Sequence, residues 1–218
     1  MIVAIDGPAG SGKGTVTEII SKKLNLTNIS TGDAYRSVAL FTIENNVNEN
    51  ETEKIIKLLD EIQIEFKKEE DKDVVFLNGK NVDKRIRQKD VTNIVSKVSA
   101  IKEVRFKLNE LFRKISENKN VIMEGRDIGT CVFPNADVKI YLDATLEERA
   151  KRRVKQNESM GIHIPYEEVL ESIRKRDEQD KTKEVGALIQ ADDAIYIDSS
   201  NLSIEEVSDK IIQIIENK

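Results

Sequence analysis

The sequence predicts an α/β fold of three layers, with a central five-stranded parallel sheet, a small antiparallel insertion and a helical lid. Three observations predict it. Continuous apolar runs at residues 2–6, 121–123, 138–142 and 194–197 have the length of buried parallel strands. Stretches with apolar residues at helical spacing separate these runs. Turn and cap residues stand directly after the runs, and strands alternating with helices give a parallel sheet covered on both faces.

Taken in order, Ile2-Val3-Ala4-Ile5-Asp6 is the first strand. Val16, Ile19, Ile20 and Leu24 then recur at helical spacing and pack a helix on the sheet. A short strand at 27–29 leads into Ser30-Thr31-Gly32, and a helix follows through Tyr35, Val38 and Phe41. Ile55, Ile56, Leu58 and Leu59 mark another helix. The period then changes to two at Ile62, Ile64 and Phe66 and again at Val75 and Leu77. Asn78-Gly79 is a hairpin turn signal, so residues 62–85 read as an antiparallel insertion. From Asp90 to Ile115 the apolar spacing is helical throughout. Thr145 with Glu148, and Ser203 with Glu206, form capping boxes that start helices after two of the later strands.

The segment joining the first strand to the first helix is Gly7, Pro8, Ala9, Gly10, Ser11, Gly12, Lys13, Gly14 and Thr15. Glycines at this spacing let backbone N–H groups converge on one anion, and the helix N-terminus and the lysine ammonium add to the field. This is a P-loop, a cradle for a triphosphate. It departs from the strict pattern in one respect: Gly14 follows the lysine and the hydroxyl comes one place later, at Thr15. In sheets of this kind ligands bind beyond the carboxyl ends of the strands. The other unusual motifs also stand at such ends.

Bulk composition narrows the function classes. The chain has 218 residues, 39% of them hydrophobic and 34% charged, enough for one domain with a sizeable core. No apolar stretch approaches the roughly 20 residues that span a bilayer. The N-terminus runs directly into a strand without a signal-peptide layout. The single Cys131 cannot form an internal disulfide and reads as a small buried residue. A cytoplasmic monomer with no membrane partner is expected. The net charge of −5 argues against broad nucleic-acid binding. No Cys/His cluster has the spacing of a zinc site, and His163 reads as a surface residue.

Three further constellations carry charge. In Ser30-Thr31-Gly32-Asp33-Ala34-Tyr35-Arg36, a hydroxyl, a glycine and an arginine one turn on suit a second phosphate site. Glu124-Gly125-Arg126-Asp127-Ile128-Gly129-Thr130 packs charges between glycines after a buried strand, which is costly without partners and points to a loop aimed at a ligand. Arg149, Arg152 and Arg153 share one helix, and Arg176, Asp180 and Lys183 are spaced for one helical face. Singly each is a solvated surface charge. Together they form a cationic lid over about 152–183, with Asn157-Glu158-Ser159-Met160-Gly161 as its hinge.

These residues together resemble the bacterial cytidylate kinases, members of the nucleoside monophosphate kinase group. The resemblance runs from Ile5-Asp6-Gly7-Pro8 and Gly12-Lys13-Gly14-Thr15 through Tyr35-Arg36 and the Gly125–Thr130 loop with Val132-Phe133-Pro134. It continues in Lys139–Ala144, Glu148-Arg149-Ala150, Arg152-Arg153, Arg176-Asp177 with Asp180, and Asp198-Ser199. It implies phosphoryl transfer from ATP to CMP or dCMP with magnesium. It also implies a single P-loop kinase domain over residues 1–218, with a monophosphate-binding region at 31–115. Lys13, Arg126, Arg36 and Arg176 would be catalytic. The loop from Gly7 to Thr15, with Arg149 and Arg153, would bind ATP, and Thr15 would stand by the magnesium ion. Thr31, Arg36 and Arg126 would hold the acceptor phosphate, and Ser96, Arg105 and Asp127 the cytosine. Arg176, Asp180 and Lys183 would reach sugar and phosphates. Lys183 stands where the family shows arginine, so its charge remains without the bidentate fork. Ser30-Thr31-Gly32-Asp33 looks more like adenylate kinase, whereas that family's Gly-Phe-Pro-Arg loop is replaced by Glu124-Gly125-Arg126-Asp127. Kinases for UMP or AMP remain alternatives. A nucleotide-dependent switch is the alternative from another class, but the guanine-reading Asn-Lys-x-Asp segment is missing from the sequence.

Overall fold

The chain opens with β1 (Ile2–Asp6), α1 (Lys13–Leu24), β2 (Thr27–Ser30) and α2 (Thr31–Glu44) in the computed structural model of the protein, which describes residues 1–69, 72–159 and 161–218. Next come α3 (Thr52–Leu58), β3 (Ile64–Glu69), β4 (Lys72–Leu77), β5 (Lys80–Asn81), α4 (Lys89–Val98) and α5 (Lys102–Ser116). The last part holds β6 (Val121–Gly125), β7 (Val138–Asp143), α6 (Leu146–Ser159), α7 (Tyr166–Lys181), β8 (Ile195–Asp198) and α8 (Ile204–Glu216). A five-stranded parallel sheet has the order β2-β6-β1-β7-β8, and β3-β4-β5 form a separate three-stranded sheet. The fold divides into two compact units, residues 1–28 with 118–218, and residues 29–117.

In the first unit β1 lies between β6 and β7, with Asp6 in register with Gly125 on one side and Tyr141 on the other. Side chains alternate along a strand. Val3 and Ile5 join Val16, Ile20, Ile140, Leu142, Val207 and Ile211 in the main apolar core, which α1 and α8 cover. Each such side chain contributes about 1.5–3 kcal/mol by leaving water. Asp6 therefore points to the opposite face, under a one-turn π-helix at Ile128–Val132. The α6–α7 pair has a small core of its own in Ala150, Val169 and Ile173.

In the second unit the antiparallel insertion pairs Ile64 with Leu77 and Phe66 with Val75. Asn78 and Gly79 turn β4 into β5, both with positive φ, at 47° and 78°. Residues 70 and 71 of the expected insertion lie outside the described residues, as does Met160 of the expected hinge, whose Asn157, Glu158 and Ser159 are not loop but the last residues of α6. Tyr35 of α2 sets its ring edge against Phe112 of α5, 6.4 Å between centroids.

Four further expectations need correction. The helical spacing over 90–115 is two helices, because Ile101 is extended (ψ 120°) and the Arg105 guanidinium takes the Ser99 carbonyl at 3.2 Å. The Thr145 box is half formed. Its hydroxyl accepts from Glu148 N–H at 3.3 Å, but Glu148 turns to Lys151, and Thr145 N–H donates to Ser200. Ser203 and Glu206 form the full box. Lys183 lies beyond the end of α7, although its ammonium still meets Asp180 at 2.8 Å. Cys131 is half-buried, not buried.

Candidate active site

The P-loop runs from the carboxyl end of β1 into α1. Gly7 has φ 152°, and a Cβ there would collide with the Leu142 carbonyl oxygen of β7, so only glycine lets the loop leave the sheet at this point. Gly12 stands at the N-cap of α1, and the first turn of α1 contains no acidic side chain to offset its positive end. The Lys13 ammonium is buried and donates to the Pro8 carbonyl at 2.8 Å and to the Ser11 hydroxyl at 3.3 Å. Thr15 is exposed in the first turn of α1.

Two arginines of α6 brace this loop from behind. Arg152 donates to the Ser11 carbonyl at 3.3 Å and to the Ser199 hydroxyl at 3.0 Å. Arg149 donates to the Ala9 carbonyl at 3.2 Å and to the Ala144 carbonyl at 3.0 Å, and pairs with Asp177 at 2.6 Å. Its guanidinium thus ties the P-loop to α7. Arg153, on the same helix, donates to Gln156 at 2.8 Å.

Beyond β6 stands Arg126, whose Nε donates to Asp180 at 2.8 Å. Burial alone would lower its pKa, but Asp180 and Glu124 outweigh that and hold it above the ordinary arginine value. Burial likewise disfavours the charge on Asp180, yet Arg126 and Lys183 keep its carboxyl well below the usual range. Lys13 feels the same neighbourhood. Burial pushes its pKa down to about 7, helped by the positive charges of Arg126 and Arg176 and opposed by Glu124 and Asp6. Three cations thus converge on one region of the first unit, and such a cluster suits a ligand carrying several negative charges. Asp127, the next residue, is buried.

The second unit carries the remaining predicted residues. Thr31 is buried in the first turn of α2. Arg36 donates to the Ile86 carbonyl at 3.1 Å and to Thr92 at 2.9 Å. Arg105 lies buried over the Tyr35 ring, 5.2 Å from its centroid. Ser96 is half-buried on α4. Asp33 is held by the two terminal guanidinium nitrogens of Arg87 at 3.1 Å, which places its charge in an ion pair at the start of α2.

Within the first unit, then, Lys13, Arg126, Asp127, Arg176, Asp180 and Lys183 belong to one neighbourhood with the P-loop, and Thr31, Arg36, Ser96 and Arg105 lie in the second. The sequence places Asp6 and Glu124 in its motifs without giving either a role, and it does not show the bracing role of Arg152. A charged residue closing an apolar strand was the available signal for the first two.

A P-loop on a β2-β6-β1-β7-β8 parallel sheet, with cations gathered beyond its strands, defines a P-loop kinase fold. A solved structure of an uncharacterized protein from Eubacterium ventriosum shares this fold at a TM-score of 0.57 and 14% identity, over 100% of this chain and 99% of that one. The chain belongs to the cytidylate kinase family, whose pattern it matches over residues 3–217. It is 48% identical to the cytidylate kinase of Fusobacterium nucleatum, over 99% of this chain and 97% of that protein. It is 45% identical to the cytidylate kinase of Caldicellulosiruptor saccharolyticus, over 97% and 94% respectively.

Proposed function

We propose that the protein transfers the γ-phosphoryl group of ATP to CMP and dCMP, giving ADP with CDP or dCDP. Family membership supports the substrate, and the convergence of Lys13, Arg126 and Arg176 carries the chemistry. A phosphate oxygen of CMP attacks the γ-phosphorus, and the bond from that phosphorus to the bridging oxygen of ADP breaks. Such a transfer needs in-line positioning and cations around spreading charge rather than covalent chemistry from the protein.

Lys13 and the loop amides hold the β- and γ-phosphates. For this the Lys13 ammonium exchanges the Pro8 carbonyl for phosphate oxygen. Arg36 and Arg126 bind the acceptor phosphate with support from Thr31, and Arg176, Asp180 and Lys183 reach sugar and phosphates. Arg105, Ser96 and Asp127 read the cytosine. A carboxylate accepting from the cytosine amino group is a favoured pairing, and uracil would set a carbonyl against it. Arg149 and Arg153 act on ATP, Arg149 through its hold on the Ala9 carbonyl.

Magnesium would neutralise phosphate charge when bound with ATP. Thr15 supplies an exposed hydroxyl beside Lys13. Among the described residues no group of three or more His, Cys, Asp or Glu could hold a metal alone, which suits an ion bound mainly through substrate phosphates. No helix among the described residues is long and apolar enough to cross a membrane. We read the enzyme as a cytoplasmic monomer acting on small nucleotides, in keeping with its acidic balance and single cysteine.

The test is ADP production from ATP with CMP, dCMP, UMP or AMP as sole acceptor. CMP and dCMP should stimulate turnover most. AMP exceeding CMP overturns the acceptor assignment, and turnover unaffected by any acceptor overturns the kinase reading.

A further inference from the structure

Asp6 is a carboxylate in the last position of an otherwise apolar central strand, and it is 5% exposed. Both of its oxygens are committed to backbone. One accepts from the Ile128 N–H at 2.8 Å and the other from the Gly129 N–H at 2.7 Å. These two N–H groups open the π-turn that follows Arg126-Asp127 without a spacer. Asp6 is itself bonded to Gly7, the first residue of the P-loop, so a single residue joins the two loops that carry the proposed chemistry.

The neighbouring strand secures the same segment from its far end. Lys139 of β7 donates to the Pro134 carbonyl, and its stem lies against Gly129. A Cβ on Gly129 would stand 3.1 Å from Lys139 Cδ and 3.4 Å from the Asp6 carboxylate. A side chain there would make the Lys139 stem give by a few tenths of an ångström, while its contact with Asp6 would be an ordinary one. Burial pushes the Asp6 carboxyl up to about 6 in spite of the two N–H bonds, so the clamp holds an ionised group at a cost to the fold.

We propose that Asp6 is a positioning residue, which fixes the Arg126-Asp127 backbone on the P-loop strand and so governs acceptor binding and base discrimination rather than ATP binding. This rests on the kinase function proposed above. It separates Asp6 from the phosphate-holding residues: its effect should fall chiefly on the nucleotide read by Asp127, through the backbone, and reach the triphosphate cradle only through the smaller support its charge gives Lys13.

Asp6→Asn keeps the volume but turns one accepting oxygen into a donating amide, so one turn N–H loses its partner. Gly129→Ala crowds the same turn, mainly against the Lys139 stem, and leaves the Asp6 carboxylate in place. Steady-state kinetics with CMP and UMP, at varied ATP, should show the CMP KM raised about tenfold or more and the preference for CMP over UMP reduced about fivefold or more. Small misplacements of positioning groups cost up to about a hundredfold, and the ATP KM should change several-fold less than the CMP KM, since Asp6→Asn removes only one of the charges that support the Lys13 ammonium and Gly129→Ala removes none. If Asp6→Asn does not fold by circular dichroism, Gly129→Ala decides by the same readouts. Unchanged CMP KM and base preference in a folded variant overturn the proposal, as does an equal loss in ATP KM. Wild-type enzyme assayed alongside separates the two readings: failure of wild type on CMP overturns the kinase function itself.

Discussion

Asp180 and Arg126 form a nearly buried ion pair, Nε to Oδ2 at 2.8 Å, with side chains 6% and 18% exposed. The second Asp180 oxygen takes the Lys183 ammonium at 2.8 Å, so one carboxylate neutralises two cations from different elements. Removing one partner of such an arrangement strands charge in a poor solvent for it. Asp180→Ala should therefore cost about 3 kcal/mol or more of stability. For a chain of this length that is a fall in Tm of roughly 6–12 °C. Inorganic phosphate should restore part of the loss by binding the two stranded cations. A thermal melt of the variant unchanged from wild type would refute this.

Arg126→Ala is the complementary case. Asp180 keeps its Lys183 partner, so the fold should survive with a far-ultraviolet spectrum like that of wild type. Turnover should not. Arg126 is assigned to charge that grows as the phosphoryl group moves, and removing one such contact costs about 2.7–4 kcal/mol of barrier, a hundredfold to a thousandfold in kcat. Near-normal kcat with CMP would remove Arg126 from the catalytic set.

The contrast between these residues and Asp6 explains which features could be read in the sequence. The strands, the P-loop and the Ser203 cap are written in neighbouring residues, because glycine spacing, apolar runs and capping boxes act over a few positions. Asp6 holds Ile128 and Gly129, which are more than a hundred residues away in the chain, and nothing local marks that contact. Arg149 reads as a candidate phosphate ligand, yet its guanidinium is already shared by Ala9, Ala144 and Asp177. The break between α4 and α5 is hidden for a similar reason. The apolar spacing continues across it, and the extended backbone at Ile101 and the reach of Arg105 back to the Ser99 carbonyl mark where the helix stops.

Base discrimination gives a third prediction. Asp127 is buried beside Arg126, and a uracil base would set a carbonyl against that buried carboxylate where cytosine offers its amino group. The cost is about 1–3 kcal/mol, a tenfold to hundredfold preference in kcat/KM for CMP over UMP. Asp127→Asn, whose amide can present either a donor or an acceptor, should narrow that preference, chiefly by improving UMP. Equal narrowing through loss of CMP activity alone would point instead to disruption of the loop.

Lys13 supplies a pH dependence whose sign is fixed by its surroundings. Burial first, and then Arg126, bring its pKa down from 10.5 to about 7. The phosphates of ATP favour the charged ammonium and raise that value again on binding. Above pH 7 the free protein therefore has Lys13 increasingly neutral, and ATP binding must take up a proton. Each pH unit in this window weakens binding by up to about 1.4 kcal/mol, or tenfold. From pH 7.5 to 8.5 the ATP Kd should rise by several-fold, and calorimetry in buffers of different ionisation enthalpy should show proton uptake approaching one per site. Lys13→Arg, whose guanidinium keeps its proton throughout, should bind ATP without this pH dependence, even though its longer fork lowers turnover. A wild-type Kd constant across this range, with no proton taken up, would mean that Lys13 stays charged in the free protein.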